Sequence, residues 1–196
     1  MEYFKVNLKK MEGGEIDSIV NFLNQGKVIV YPTDTIYGLG CLAANKKAIK
    51  KIYKIKMREK GRPMLVLVGS LGMAKKYGRI NRAQEKYLKK IWPGPVSVIL
   101  ESRDRLPREL SGGLKTQAMR LPKNDFLLKI IRKLGVPIVS TSLNLSGQPP
   151  VESVKGVEKI FKKEKPDLIV DAGRQKAKPS RLIDLRDIKN IEIIRK

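Results

Sequence analysis

Short apolar runs alternate with amphipathic segments along most of this chain, and that alternation restricts its fold more than any single motif does. The runs Val28–Tyr31, Met64–Val68, Val96–Leu100, Ala118–Leu121, Val136–Ser140 and Leu168–Asp171 are four to five residues long. Gly, Pro, Asn or Ser often bounds them, the pattern of buried strands. Ile16, Ile19, Val20 and Leu23 recur at helical spacing over residues 15–25, and Gly26 supplies the stop. Asn45 is placed to cap a second helix whose buried face is Ala48, Ile49, Ile52, Tyr53 and Ile55. Asn81 and Gln84 have capping-box spacing at the head of a helix reaching about Trp92, ended by Pro93-Gly94-Pro95. Leu127, Ile130, Ile131 and Leu134 predict a helix over 126–134 with Gly135 just past its end, and another is expected over 153–162. Two short runs, Leu182–Leu185 and Ile191–Ile194, follow. The order predicts an α/β fold: a twisted mixed sheet flanked by helices, in one domain over 1–196.

The first strand empties into the densest polar segment. In Val28-Ile-Val-Tyr-Pro-Thr-Asp-Thr-Ile-Tyr-Gly-Leu-Gly40, Pro32 ends the strand because it has no amide hydrogen for a ladder. Thr33, Asp34, Thr35 and Tyr37 follow, and Gly38 and Gly40 mark backbone that bends or approaches something closely. Open α/β sheets build ligand sites at such strand exits.

Composition narrows the chemistry. There is no histidine, which excludes a Ser-His-Asp triad, a Cys-His dyad and a histidine-bearing zinc site. The single Cys41 gives no disulfide framework and fits a reducing compartment as a buried thiol. No apolar run approaches the ~18 residues of a membrane span. The first residues lack the charged-then-apolar layout of a secretory signal, so a soluble cytoplasmic protein without membrane contact is expected. Forty-two Lys plus Arg against 19 acidic residues give +23, which favours polyanions such as nucleotides or RNA. Reaction chemistry then has to run on Lys, Arg, hydroxyls, carboxylates, backbone amides or a bound metal.

Three further stretches carry candidates. Nine basic residues and one acid lie between Cys41 and Pro63. Lys46, Lys47, Lys50, Lys51 and Lys54 suit the solvated face of the second helix. Lys56-Met-Arg58-Glu-Lys-Gly-Arg62-Pro63 runs on into a loop, either as cations favoured at a helix C-terminus or as a phosphate clamp. Ser140-Thr-Ser-Leu-Asn-Leu-Ser-Gly147 offers four hydroxyls and an amide, either capping its own turn or binding anionic oxygens. Arg120, alone inside a short apolar strand, requires an acid such as Asp125 or a ligand anion. Gly112-Gly113-Leu-Lys115-Thr116 fails as a Walker loop, and no G-x-G-x-x-G follows the first strand.

Taken together, these stretches resemble the YrdC-like family of threonylcarbamoyl-AMP synthases. The similarity rests on Tyr31–Gly40, on Lys56-x-Arg58 with Arg62-Pro63, and on Trp92-Pro-Gly-Pro95. It continues through Arg120-x-Pro122, Ser140-Thr-Ser-x-Asn144-x-Ser-Gly147 and Ser180-Arg-Leu-Ile-Asp184, in order and at similar spacing. The resemblance implies a basic concave face and a nucleotidyltransferase that makes L-threonylcarbamoyl-AMP and pyrophosphate from L-threonine, bicarbonate and ATP. The product feeds threonylcarbamoyladenosine formation in tRNA through a separate transfer machinery. It further implies that Thr33, Tyr37, Arg120, Ser140 and Ser180 meet threonine. Lys56, Arg58, Arg62, Thr116, Ser142, Asn144 and Arg195 would meet ATP, and Lys56 and Arg58 would carry catalysis. Magnesium is expected with ATP, its protein ligands unassigned beyond Asp34 as the nearest acid. Arg62 and Glu59 depart from the usual residues of the basic loop, as Leu143 does in the serine-rich motif. The matching segments end at Arg195, which implies the short, single-domain form. The competing reading is a non-catalytic module binding double-stranded RNA or tRNA. A carbamoyl-transfer domain of the hydrogenase-maturation type lacks its zinc-finger cysteines here.

Overall fold

In the computed structural model, which describes residues 1–8, 10 and 13–196, helices cover both faces of one sheet. The elements are β1 (Glu2–Lys5), α1 (Gly13–Asn24), β2 (Ile29–Tyr31), β3 (Gly38–Gly40), α2 (Lys46–Ile55), β4 (Leu65–Leu67), α3 (Leu71–Tyr77), α4 (Arg82–Ile91) and β5 (Val96–Glu101). There follow α5 (Arg108–Ser111), β6 (Thr116–Arg120), α6 (Asp125–Leu134), β7 (Ile138–Ser142), α7 (Val157–Ile160), β8 (Leu168–Asp171), β9 (Arg181–Asp184) and β10 (Glu192–Arg195). The ten strands run in the order β1-β8-β2-β3-β7-β4-β6-β5-β9-β10. Pairings β1–β8, β2–β8, β4–β6 and β5–β9 are parallel and the others antiparallel, so the sheet is mixed as expected.

Strand alternation sorts the core into two layers. Val28, Val30, Leu39, Val66, Val98, Met119, Val139 and Ile169 pack on one face against Ile49 and Ile52 of α2 and Leu88 of α4. On the other face, Ile29, Tyr31, Leu67, Ile138 and Leu168 lie beneath Ile19 and Leu23 of α1 and Leu127 and Ile131 of α6. Helices α1 and α6 pack together but cover only part of that second face. Beyond them on β4 and β7, and across the neighbouring strands β6, β5 and β9, Leu65, Ser140, Ser142, Ala118, Arg120, Ser97, Ile99 and Leu182 line an open cavity. The site lies where the helical layer stops.

Local signals account for most elements. Asn45 accepts from Ala48 N at 3.0 Å to start α2, and Asn81 and Gln84 exchange bonds of 2.9 Å in a full capping box on α4. Gly135 ends α6 in the left-handed region at φ 68°. Four elements were not anticipated: the exposed edge strand β1, the short helices α3 and α5, and β3. The expected helix over 153–162 is one turn, Val157–Ile160, because Gly156 sits at φ 75° just before it. Strand β7 lies two residues later than predicted, which places Ser140 and Ser142 within the sheet. Among the described residues, no helix is long and apolar enough to cross a membrane.

Gly-Leu-Gly is a poor strand by propensity, and close approach is what puts it there. A Cβ on Gly40 would stand 2.0 Å from the Val139 carbonyl oxygen and 2.8 Å from the Tyr31 hydroxyl. That hydroxyl donates to the same carbonyl at 3.0 Å, so neither neighbour can yield. Gly40→Ala is therefore expected to lower unfolding free energy by about 2–4 kcal/mol in denaturant titration. Gly14→Ala, inside α1 with nothing within 4 Å of the added atom, should instead stabilise by about 0.5–1 kcal/mol.

Candidate active site

Arg120 is the last residue of β6 and is 2% exposed. Its Nη1 donates to Asp34 Oδ1 at 2.8 Å, and Asp34 Oδ2 accepts the Lys123 amide at 3.0 Å. The acid that the strand arginine demands is thus Asp34, from the opening polar segment, and not Asp125. Asp34 is correspondingly not a free metal ligand. Burial pulls the Arg120 guanidinium below its ordinary range, while Asp34 and Tyr31 oppose that shift. Arg120 Nε is buried without any partner.

The cavity in front of Arg120 measures about 380 Å³. Thr33, Tyr37, Arg58, Arg120, Ser140, Ser142, Ser180 and Arg195 all line it, so eight of the twelve candidates meet there. Lys56, Arg62, Thr116 and Asn144 do not. Thr116 shares the strand face of Ala118 and Arg120 but stands beyond the rim, opposite Glu101. Arg62 is exposed and its Nε donates to Glu59 at 3.0 Å.

The basic loop is shaped by how α2 ends. Met57 N donates to Lys54 O at 3.1 Å and Arg58 N to Tyr53 O at 3.0 Å, the two bonds of a Schellman motif. Met57 occupies the left-handed position at φ 49°, where glycine is usual, so the stop was invisible in the sequence. The reversal sends Lys56 inward and Arg58 to the cavity wall. Lys56 is 1% exposed, and its Nζ donates to the Ser142 carbonyl, to Asn144 O at 2.9 Å and to Asn144 Oδ1 at 2.7 Å. Burial and the neighbouring Arg58 push its pKa down to about 7, while those three acceptors favour the charged form. Lys56 fastens the serine-rich turn with all three of its ammonium hydrogens. Ser142 Oγ donates to Asn144 Oδ1 at 2.7 Å, and the Ser146 amide closes the clasp on Lys56 O at 2.8 Å. Arg58 Nη2 donates to Pro63 O at 3.1 Å, but its Nε is buried and unpartnered.

Thr33 and Tyr37 are more committed than expected. Thr33 Oγ1 donates to Ile36 O at 2.7 Å and accepts Thr35 N at 2.9 Å, which ties the turn after β2. The Tyr37 hydroxyl donates to Gly173 O at 2.6 Å and accepts Ala172 N at 2.9 Å. Burial raises that phenol to about 12. Its hydroxyl is thus tied to the turn after β8, while the residue itself lines the cavity. Arg195 donates twice to Ser180 O, at 3.0 and 2.8 Å. Burial and Arg120 lower its guanidinium. Three arginines therefore face one cavity, with Asp34 paired to only one of them. Ser97 was missed: it is 1% exposed on β5 and joins Ser180 on the floor. Its only sequence signal was a single hydroxyl between Val96 and Val98.

Among the described residues, no group of three or more Cys, Asp or Glu side chains could hold a metal. The protein side of this cavity is cationic and hydroxylic.

The Sua5/yciO/yrdC family model, described as telomere recombination, matches residues 21–196. The chain belongs to this family. A threonylcarbamoyl-AMP synthase of Pyrococcus abyssi is 32% identical over 181 residues, covering 91% of this chain and 53% of that protein. The crystal structure of P. abyssi Sua5 complexed with L-threonine is 32% identical, with a TM-score of 0.87 over 94% of this chain and 54% of that one. Escherichia coli YciO, 30% identical, aligns with a TM-score of 0.89 over 100% of this chain and 96% of its own. The chain thus spans about half the length of the P. abyssi proteins and nearly all of YciO.

Asp34→Ala would strand the buried Arg120 charge and is expected to cost about 3–5 kcal/mol. Asp34→Ala combined with Arg120→Met should recover most of that loss, measured as a double-mutant cycle in denaturant. Arg62→Ala should shift stability by no more than about 0.5 kcal/mol, because its ion pair is exposed.

Proposed function

We propose that the chain is a threonylcarbamoyl-AMP synthase, condensing L-threonine, bicarbonate and ATP. The observation that carries this is the convergence of Arg58, Arg120 and Arg195 on one hydroxyl-lined cavity. Arg58 Nε and Arg120 Nε are also the two buried side-chain nitrogens without a partner among the described residues. An unpaired buried donor on a cation is costly unless an anion arrives. The shared family and the threonine named in the P. abyssi complex support the choice of substrates.

Two anions have to meet in the proposed reaction. The amine of threonine attacks bicarbonate carbon, and loss of water leaves a carbamate. A carbamate oxygen then attacks the α-phosphorus of ATP, the bond to the β-phosphate oxygen breaks, and pyrophosphate leaves. Repulsion between carbamate and triphosphate is the main obstacle, and fixed guanidinium groups in a sheltered site oppose it without reorganising. Arg120, with Ser180, is proposed to take the threonine end. Arg58, Ser142 and Arg195 take the nucleotide end, with Ser140 between them. Lys56, Asn144, Thr33 and Asp34 hold these groups in place through the bonds described above.

Magnesium is proposed to arrive on the triphosphate. The described residues form no carboxylate cage for it, and both Asp34 oxygens are already bonded. When present it would neutralise phosphate charge. The adenylate would pass to a tRNA-modifying transferase in the cytoplasm, and the +23 charge suits direct contact with tRNA.

Pyrophosphate release from ATP, with threonine and bicarbonate each omitted in turn, tests the proposal. Release should require both, and release independent of threonine would refute it. Arg120→Ala should abolish turnover and threonine binding together. Retained threonine affinity in that variant would move the amino-acid site elsewhere.

A further inference from the structure

The floor of the cavity carries two hydroxyls in contact. Ser97 Oγ on β5 and Ser180 Oγ, just before β9, stand 2.8 Å apart, and both residues are buried. Arg195 Nη2 reaches the same Ser180 oxygen at 3.3 Å. A serine hydroxyl has one hydrogen and two acceptor positions, whereas a guanidinium only donates. If Ser97 donates to Ser180, then Ser97 and Arg195 together fill both acceptor positions of Ser180, and the Ser180 hydrogen is left over. If the pair is reversed, Ser180 donates to Ser97 and the Ser97 hydrogen is left over. Either way the pair keeps one O–H hydrogen that neither serine nor Arg195 uses.

The surroundings of that donor are apolar. Ser97 pairs with Leu182 across the parallel β5–β9 ladder, and Ile99 pairs with Ala118 across β5–β6. Ile99, Ala118 and Leu182 line the same floor. A small side chain bearing a hydroxyl and a methyl on one carbon satisfies both halves of this surface.

We infer that Ser97 is a specificity-determining residue for the amino-acid substrate. With Ser180 it fixes a donor for the substrate's β-hydroxyl, beside an apolar patch that takes the methyl group. The inference rests on the threonine reading above and assigns a side-chain subsite within it.

The test is calorimetric titration of L-threonine and of L-valine, its isostere without the hydroxyl, into the wild-type chain and Ser97→Ala. Threonine affinity should fall about tenfold, the loss of roughly one hydrogen bond. Valine affinity should stay constant, as should the KM for ATP. Ser97→Thr should retain threonine affinity and Ser97→Val should lose it, a comparison at equal side-chain size that holds even where Ser97→Ala folds poorly. Equal losses for threonine and valine would assign the pair to the shared carboxylate or amine and overturn the inference, as would no loss at all. Wild-type chain that binds no threonine would refute the substrate reading itself, whereas intact threonine binding in Ser97→Val would refute only the role of Ser97.

Discussion

Burying a guanidinium inside a β-sheet is expensive, and the arrangement of the cavity follows from how Arg120 is compensated. Asp34 supplies the counter-charge from 86 residues away in sequence and uses its second oxygen on the Lys123 amide. One carboxylate therefore joins the exit of β2 to the end of β6. The match is incomplete, because Arg120 Nε remains unpaired. A fully satisfied arginine would only stabilise the sheet, whereas one left partly unsatisfied beside a cavity is prepared for an anion. One side chain thus has a structural partner on Nη1 and an unpartnered Nε beside the cavity.

A second device keeps the cations apart. Lys56 and Arg58 are separated by one residue, yet the left-handed turn at Met57 gives them different surroundings. Lys56 is enclosed by three oxygens of the serine-rich turn, while Arg58 reaches the cavity with a nitrogen to spare. The clasp also runs in reverse, from the Ser146 amide to the Lys56 carbonyl. The basic loop and the serine-rich turn, distant in sequence, are thus fastened to each other. Rigid placement of this kind is what electrostatic stabilisation of a transition state requires.

Much of this was legible beforehand wherever a signal is local. The caps at Asn45 and Asn81, the glycine stop after α6 and the core faces of α1, α2 and α6 follow from periodicity and side-chain hydrogen bonding within a few residues. The need of Arg120 for a counter-charge also followed from its apolar neighbours. The close approach signalled by Gly38 and Gly40 is present, against Tyr31 and Val139, but the strand they form was not legible because Gly-Leu-Gly has no strand propensity of its own. At Met57 no glycine marks the stop, because two backbone hydrogen bonds to Lys54 and Tyr53 hold an exposed residue in the left-handed region. Nothing near Ser97 in the sequence marks it, because its partner Ser180 reaches it only through strand pairing.

By itself, the sequence determined an α/β chain with no imidazole chemistry, a large cationic excess and one strand arginine in want of an anion. Those conclusions need only composition, short-range periodicity and the cost of burying charge. Tertiary structure decided that Asp34 is the partner, that Lys56 holds a turn, that the Tyr37 hydroxyl bonds the turn after β8 and that Ser97 belongs to the cavity floor. Each of these depends on strand order and register across a ten-stranded sheet. Spacing along the chain reports which side chains share a face, but not which faces the fold brings together.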